Sequence, residues 1–286
     1  MIYIDGQFYE KAEAKISVYD HGFLYGDGVF EGIRIYNRRI FKLKEHVKRL
    51  YESAQAIYLQ IGMEPAEMEE LLERMTEQSG KQNGYIRLVV SRGDGPLGID
   101  SSHCARARVV IILDDIQLYP AEFYEKGIAI ITSSYRRIPV ECFDLRIKSL
   151  NYLNSVLAKN EARQHNCLES VMLNTNGFVA ECTGDNIFIV KDGILKTPAA
   201  YHGALEGITR GVVLEIGERL GLKPVETTLT RFDLYNANEC FLTGTGAEII
   251  PVVSIDNIRI GDGRPGASTA KVLSLFKELI DGGFTQ

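Results

Sequence analysis

The sequence has few cysteines, and their positions give them no common chemistry. Five occur among 286 residues; none forms a Cys-x-x-Cys pair and none lies near a histidine at metal-ligand spacing. Scattered thiols in odd number are typical of a protein from a reducing compartment rather than of a disulfide-bonded secreted domain. The five histidines show no ligand spacing either. We therefore expect neither a disulfide framework nor a metal site.

Long apolar runs and a secretion signal are also lacking. The first ten residues, MIYIDGQFYE, contain neither the basic nor the apolar segment of a signal peptide. The longest apolar runs, such as residues 109–113 and 128–131, have the length of a strand and are far too short to span a bilayer. We therefore expect a cytoplasmic protein without a membrane partner.

An excess of positive charge is absent as well. The chain carries 32 basic and 38 acidic residues, a formal net charge of −6. An acidic chain is not attracted to nucleic acid over a long range, so we expect no nucleic-acid partner. Its hydrophobic content of 45% is that of an ordinary globular protein, and its length suits two modest domains. We predict an α+β domain over residues 1–118, a connection over 119–132 that contains Pro120, and an α/β domain over 133–286.

Hydrophobic periodicity places the main elements. Strands are predicted at 2–5, 7–10, 15–19, 28–36, 39–43, 85–91 and 108–113, and helices at 44–59 and 68–78. Asn37-Arg38 is predicted to form a hairpin turn. In the second half, helices are predicted at 150–164, 208–220 and 267–280, with strands at 128–133, within 170–196 and at 239–243.

Lys148 and Glu181 could carry chemistry if they lie together. Lys148 stands between an expected strand end and an apolar helix, where a neutral lysine can attack an aldehyde. Glu181 lies at a turn, and a carboxylate there could keep a pyridine nitrogen protonated. Taken singly, a surface lysine and a solvated glutamate would give the same pattern.

Two segments could bind an anion. Residues 207–210, Gly-Ile-Thr-Arg, open an amphipathic helix whose backbone N–H groups could hold a phosphate. Residues 242–248 run from a strand into a Gly/Thr turn, which could form an anion-binding nest. An ordinary helix cap and a plain β-turn are the alternatives. Dinucleotide-binding, Walker A and Gly-x-Ser-x-Gly motifs are absent.

The ordered motifs resemble the fold-type IV pyridoxal-phosphate enzymes, the aminotransferase class IV family. The similarity extends over nearly the whole chain and rests on YDHGFLYGDGVFEGIR, EHVKRL, YIRLVVSRG, RIKSLNYLNSVLAKNEA, ECTGDNIF, EGITR and FLTGTGAEIIPV. The resemblance implies a two-domain α/β (α+β) fold with the cofactor, pyridoxal 5′-phosphate, in the cleft between the domains. It also implies at least a homodimer.

The same resemblance implies roles for individual residues. Lys148 matches the catalytic lysine, which forms the internal aldimine and moves the proton in a ping-pong transamination. Glu181 matches the partner of the pyridine nitrogen, and Tyr152 and Leu205 match residues at the phenolic oxygen and the ring face. The phosphate site is implied to comprise Arg49, Gly207, Ile208, Thr209, Gly244 and Thr245.

The substrate divides this family into subgroups. In D-amino-acid aminotransferases and aminodeoxychorismate lyases, the loop after the SRG motif carries an arginine that binds the substrate carboxylate, and the D-specific enzymes add a histidine two residues later. Leu97 and Ile99 stand at those positions here, and leucine cannot form a charge-assisted bond to a carboxylate. The chain instead resembles the branched-chain aminotransferases, which use L-leucine, L-isoleucine, L-valine and 2-oxoglutarate.

The branched-chain pattern implies a set of substrate residues. They are Tyr25, Phe30, Arg34, Tyr85, Arg87, Thr245 and Gly246. Leu88 departs from the pattern, because this subgroup commonly has proline after Tyr-Ile-Arg. A D-amino-acid or mixed-specificity aminotransferase, a lyase, and an inactive cofactor-binding relative remain the alternatives. Core packing for the aromatic residues and a surface ion pair for Arg34 also remain open.

Overall fold

The computed structural model describes residues 1–116 and 119–282, which form two compact units. The N-terminal unit contains residues 1–116, Ile147–Asn151 and 280–282, and the C-terminal unit contains 119–146 and Tyr152–Leu279. The domain boundary predicted after residue 118 and the last four residues of the predicted second domain lie outside the described residues. The domain limits therefore stay a prediction.

The N-terminal unit is an antiparallel sheet with two longer helices. Its elements are β1 (Ile2–Ile4), β2 (Gln7–Tyr9), α1 (His21–Tyr25), β3 (Gly28–Tyr36), β4 (Arg39–Ile40), α2 (Leu43–Ala56), α3 (Pro65–Ser79), β5 (Gly84–Ser91) and β6 (Arg108–Asp114). Within the described residues the sheet has six strands in the order β2-β1-β6-β5-β3-β4. No strand forms at 15–19 within this unit, so that prediction was wrong; the segment is a loop leading to Asp20, whose side chain caps α1.

One face of this sheet packs against the helices because apolar residues alternate along its strands. Ile86, Leu88 and Val90 of β5 are fully buried and join Val47 and Leu50 of α2 in one core. The predicted turn Asn37-Arg38 has both residues in the left-handed region, with φ of 50° and 67°. That conformation suits the right-handed twist of a two-residue hairpin.

The C-terminal unit is built on a mixed sheet. Its elements are α4 (Ala121–Lys126), β7 (Ile128–Thr132), α5 (Leu153–Gln164), β8 (Glu169–Leu173), β9 (Val179–Cys182), β10 (Asn186–Lys191), β11 (Ile194–Pro198), α6 (Ile208–Arg219), β12 (Lys223–Thr227), α7 (Arg231–Tyr235), β13 (Glu239–Gly244), β14 (Glu248–Ile255), β15 (Ile258–Arg259) and most of α8 (Ala267–Gly282). Among the described residues its nine strands follow the order β12-β11-β10-β13-β14-β7-β8-β9, with β15 on β14.

Parallel and antiparallel pairs both occur in this second sheet. The pairs β11/β12, β14/β7 and β7/β8 are parallel, and the others are antiparallel. Phe188 of β10 and Phe241 of β13 stack with ring centroids 5.3 Å apart and are fully buried. Two single-turn helices complete the described structure, at Ser101–His103 in the N-terminal unit and at Ala200–His202 in the C-terminal unit.

Among the described helices, none has the length and apolarity needed to cross a membrane.

Candidate active site

Lys148 is held by backbone pairing with β3. The carbonyl of Lys148 accepts from Phe30 N at 2.9 Å, and Leu150 N donates to the carbonyl of Gly28 at 3.0 Å. Lys148 N also donates to Ser53 Oγ at 3.2 Å. This extended pairing places residues Ile147–Asn151 in the N-terminal unit, and it delays the start of α5 from the predicted residue 150 to Leu153. The predicted catalytic lysine is therefore fixed at its backbone by a strand, not by a helix.

The side chain of Lys148 lies on an aromatic ring. Its Nζ is 4.6 Å from the ring centroid of Phe30, and Arg87 Cζ is also 4.6 Å from that centroid. Arg87 Nη2 donates to the hydroxyl of Tyr85 at 3.0 Å. The structure thus brings Lys148 together with three predicted substrate residues, Phe30, Tyr85 and Arg87.

Strand alternation explains this grouping. Val29, Ile33 and Ile35 of β3 lie in the core with the helices, so Phe30 and Arg34 project from the opposite face. Arg34 pairs with Tyr85 in the register of β3 and β5. Its guanidinium carbon lies 4.6 Å above the ring of Tyr36. Arg34 is buried, which disfavours the alternative of a surface ion pair.

Tyr25 lies beside the loop that carries Leu97 and Ile99. Its hydroxyl accepts from Gly98 N at 2.8 Å, and its ring packs edge-on against His21 at 5.0 Å between centroids. Leu97 and Ile99 are 72% and 87% exposed. The side chains at the two positions that matter for subgroup assignment are therefore apolar and accessible in this chain.

Arg49 forms part of a buried charged group that the sequence did not reveal. Its Nε donates to Glu31 Oε1 at 2.7 Å and its Nη2 to Glu31 Oε2 at 2.8 Å. His46 Nδ1 lies 2.7 Å from the same Oε2. The position of Glu31 on β3 could have signalled this group, because it alternates with the core residues Val29 and Ile33 where an apolar residue is expected.

Charge pairing sets the ionisation of this group. Burial raises the pKa of Glu31, but Arg49 and His46 outweigh it and lower the pKa to about 2 from 4.5. Burial lowers the pKa of His46 in spite of the opposite effect of Glu31. Nδ1 of His46 must carry a proton to donate to the carboxylate.

Glu181 occupies a second buried polar group, in the C-terminal unit. It lies on β9, and Oε1 accepts from Arg137 Nη2 at 2.7 Å. Oε2 accepts from Asn186 Nδ2 and from Leu205 N, both at 3.0 Å. All three of these partners are donors, which suits a carboxylate. The sequence did not identify Arg137 or Asn186; Asn186 lies within the quoted ECTGDNIF motif, but Arg137 is 44 residues from its partner and had no local signal.

Arg137 is itself fixed by further contacts. Its Nε donates to the carbonyl of Gly203 and its Nη1 to Ser155 Oγ, each at 3.1 Å. Arg137 is buried, so a carboxylate beside it balances its charge. This ion pair gives Glu181 one fixed orientation.

The first predicted phosphate segment begins close to the Glu181 group. Gly207 is the N-cap residue of α6, and no side chain caps that helix among the described residues. Asn186 Nδ2 donates to the carbonyl of Leu205 at 2.9 Å as well as to Glu181. A Cβ on Gly207 would lie 2.1 Å from Asn186 Oδ1, so the close approach requires glycine. Thr209, in the first turn of α6, is buried.

The second predicted phosphate segment is the turn between β13 and β14. Gly244 pairs with Glu248 at the end of that hairpin, so Thr245 and Gly246 form its tip. A Cβ on Gly244 would lie 2.1 Å from Asp185 Oδ1, which again requires glycine at a close approach. Tyr152 stands at the N-cap position of α5. These residues belong to the same unit as Glu181.

The C-terminal unit has the features that pyridoxal phosphate requires. It presents a fixed buried carboxylate, suited to a pyridine nitrogen, and Asn186 connects that carboxylate to the entry of α6, where backbone N–H groups suit a phosphate. The N-terminal unit contains an amine, Lys148, and a cation, Arg49. The residue types present fit the cofactor.

Comparisons with known proteins agree with this chemistry. The family model of the class IV amino-transferases matches residues 28–255. A Methanocaldococcus jannaschii protein, provisionally named branched-chain-amino-acid aminotransferase, is 46% identical over 278 residues, covering 97% of this chain and 96% of that protein. The branched-chain-amino-acid aminotransferase of Escherichia coli K12 is 35% identical over 287 residues, covering 98% and 93%. The D-alanine aminotransferase of Listeria monocytogenes is 34% identical over 282 residues, covering 98% and 96%.

Solved structures show the same architecture. The branched-chain amino acid aminotransferase of Thermobaculum terrenum in its pyridoxal-phosphate form superposes with a TM-score of 0.89 at 30% identity, covering 98% of this chain and 94% of that one. The chain therefore belongs to the class IV amino-transferases, and the predicted fold class is confirmed.

Proposed function

We propose that this protein is a pyridoxal-phosphate-dependent aminotransferase that moves amino groups between branched-chain L-amino acids and 2-oxoglutarate. The observation that carries the proposal is the fixed Glu181 carboxylate, joined through Asn186 to the start of α6. A buried carboxylate of this kind keeps a pyridine nitrogen protonated. Class IV membership and the branched-chain relatives support the reaction type.

Each group of residues has a part in the proposed reaction. Bound cofactor supplies an aldehyde carbon for amines and a ring that accepts electrons from the substrate Cα. With the cofactor bound, Lys148 Nζ would be the amine that holds its aldehyde carbon, and the released amine would be the base that moves the proton at the substrate Cα. Glu181 would keep the pyridine nitrogen protonated. The N-terminal turn of α6 and the Thr245 turn would hold the phosphate, and Arg49 would supply a cation for it.

The N-terminal unit supports recognition of both substrates. Phe30 and Tyr85 offer an apolar aromatic surface beside Lys148, and such a surface separates aliphatic chains that differ by one methylene by only about 1–3 kcal/mol. Leucine, isoleucine and valine should therefore all react. Arg34 and Arg87 both lie on this sheet, and we assign Arg34 to the side-chain carboxylate of glutamate.

A D-amino-acid aminotransferase is the second candidate. The D-alanine enzyme of Listeria is 34% identical to this chain, against 35% for the branched-chain enzyme of E. coli, so whole-chain identity does not separate them. The apolar, exposed Leu97 and Ile99 favour the L-specific assignment, because neither can bind a carboxylate.

We also propose that the enzyme works as a homodimer in the cytoplasm. Val18, Phe23, Leu97 and Ile99 of the N-terminal unit are exposed apolar side chains, and a second copy of the chain would remove such groups from water. The five cysteines are free thiols, which suits a reducing compartment. Light scattering should give a mass of about twice the 32.0 kDa chain.

Cofactor binding and turnover test the proposed function together. The purified protein, supplied with pyridoxal phosphate, should be yellow and should form glutamate from L-leucine and 2-oxoglutarate. Lys148→Ala should lose both the visible absorbance band and the activity, whereas Lys48→Ala, at an exposed position of α2, should retain both. A wild-type protein that stays colourless in excess cofactor would contradict the proposal.

A further inference from the structure

The group formed by Glu31, His46 and Arg49 lies in an apolar setting. Glu31 is fully buried on the core face of β3, between Val29 and Ile33. The side chains of His46 and Arg49 are only 1% and 11% exposed. Both are on α2, so the carboxylate joins β3 to the helix packed on the sheet.

Stability alone is a weak reason for charges in this place. Removing two charges from water costs several kcal/mol for each ion, and replacing a buried ion pair with apolar residues is often neutral or stabilising. The positions before and after Glu31 on the same face are valine and isoleucine, so an apolar residue would suit the site. Because the core does not need this buried ion pair for stability, we look for its role in the orientation that it gives to the Arg49 side chain.

The geometry fixes the plane and direction of one guanidinium. Glu31 accepts from Nε and Nη2 of Arg49, a two-point contact along one edge of a planar group. The edge that carries Nη1 is thereby directed away from the carboxylate. His46 donates to Glu31 Oε2 and so restricts rotation of the carboxylate. An arginine held this way has lost most of its rotamer freedom before it meets an anion.

We propose that Glu31 is a positioning residue that orients Arg49 toward the cofactor phosphate, and that His46 steadies Glu31. The inference rests on the proposed function, because it takes Arg49 as a phosphate ligand. It goes further in naming two residues that act through Arg49 without touching the cofactor themselves.

Two effects of opposite sign make the proposal testable. A carboxylate near a phosphate repels it, so the loss of the Glu31 charge by itself would strengthen phosphate binding. The loss of orientation would weaken it. In Glu31→Gln the amide keeps one oxygen acceptor, but its NH₂ group faces a donor of Arg49 or His46, so the two-point contact cannot persist. Positioning therefore predicts weaker binding, and a purely electrostatic role predicts tighter binding.

The experiment titrates cofactor-free protein with pyridoxal phosphate and, separately, with pyridoxal, which lacks the phosphate. The dissociation constants are read from the visible absorbance. Residues that orient metal ligands contribute about 10–100-fold to metal affinity, and we expect a similar factor for a residue that orients a phosphate ligand. Glu31→Gln should therefore raise the dissociation constant for pyridoxal phosphate by about 10–100-fold. The dissociation constant for pyridoxal should change by less than about twofold. Arg49→Met should reduce the preference for the phosphate form, and adding Glu31→Gln to it should weaken the binding of pyridoxal phosphate no further.

Two other variants complete the design. His46→Gln should weaken the binding of pyridoxal phosphate several-fold, again without an effect on the binding of pyridoxal. This variant tests the proposal if Glu31→Gln does not fold. Glu239→Gln is the matched control: that carboxylate accepts from Ser268 N, Thr269 N and Thr269 Oγ1 in the C-terminal unit, so its loss should lower stability without changing the preference for phosphate.

The outcomes separate the inference from the function. Unchanged or tighter pyridoxal phosphate binding in Glu31→Gln, or an equal loss for pyridoxal, would overturn the positioning role while leaving the aminotransferase proposal intact. A wild-type protein that binds both compounds equally would overturn the phosphate role of Arg49 and the inference with it. A wild-type protein that binds neither would contradict the proposed function itself.

Discussion

Replacing Glu181 with glutamine should destabilise the protein strongly, although the two side chains have nearly the same size. The carboxylate accepts from three donors, namely Arg137 Nη2, Asn186 Nδ2 and Leu205 N. A glutamine that keeps its oxygen toward Arg137 presents an NH₂ group to the other two donors. An amide flip of Asn186 would repair one contact, but it would break the bond from Asn186 to the carbonyl of Leu205.

The size of the effect follows from those contacts. Two buried donors lose their acceptor, and each unsatisfied group costs about 1–3 kcal/mol. Arg137, whose side chain is 8% exposed, also loses its counter-charge, and breaking a buried ion pair typically costs about 3–5 kcal/mol in total. We therefore expect Glu181→Gln to lower the free energy of unfolding by about 3–5 kcal/mol.

Urea denaturation of the cofactor-free protein, followed by circular dichroism, measures this change. The comparison is with Glu141→Gln, at an exposed position, which should stay within about 0.5 kcal/mol of wild type. A loss below about 1 kcal/mol for Glu181→Gln would show that the three donors do not depend on the carboxylate, and the role of Glu181 as a fixed charge would have to be abandoned.

Three further changes have defined outcomes. Burial raises the pKa of Glu31, yet its basic neighbours lower it to about 2 from 4.5. The ionised Glu31 therefore stabilises the folded protein by about 3 kcal/mol above pH 4.5, and this stabilisation is lost as the pH falls toward 2. Acid should consequently destabilise the wild-type protein more than Glu31→Gln. Gly32→Ala should raise the KM for L-leucine, because the new Cβ would lie 1.9 Å from the Tyr85 hydroxyl that accepts from Arg87. Gly211→Ala should stabilise the protein by about 0.5–1 kcal/mol, because this residue of α6 has open space around its Cβ position.

Each of these outcomes has its own check. Acid titration of both proteins in urea tests the first, and parallel curves would refute the assigned ionisation of Glu31. Steady-state kinetics test Gly32→Ala, for which an unchanged KM would argue against a substrate role for Tyr85. Thermal melting tests Gly211→Ala, and a lower melting temperature would contradict the open space described at that position.

The sequence predicted β3 and β5 well because their pattern is local. The limits of β3 agree with the prediction at both ends and those of β5 within one residue, because alternating apolar residues determine them. The start of α5 was predicted three residues too early, because Leu150 forms a long-range bond to β3 that no local pattern encodes. The strands β12 and β14 were missed: the residues of β12 are largely exposed and polar, and Pro251 interrupts the apolar run of β14.

The site shows the same division. Lys148, Glu181 and the two Gly/Thr segments were selected because their motifs are contiguous. Their partners were not, because Arg137 and Glu181 meet only after the chain has folded. Glu31 could have been noticed as a carboxylate at a core position, but only the structure shows that its partners are Arg49 and His46.

The conversion of bound cofactor to its amine form by single amino acids tests the central claim most directly. Protein loaded with pyridoxal phosphate is mixed rapidly with L-leucine or with D-alanine, and the visible absorbance is followed without a keto acid. An L-specific branched-chain aminotransferase predicts that L-leucine reacts much faster and that added 2-oxoglutarate restores the absorbance. Faster reaction with D-alanine would contradict the significance given to Leu97 and Ile99, and absence of reaction with either would contradict the proposed function.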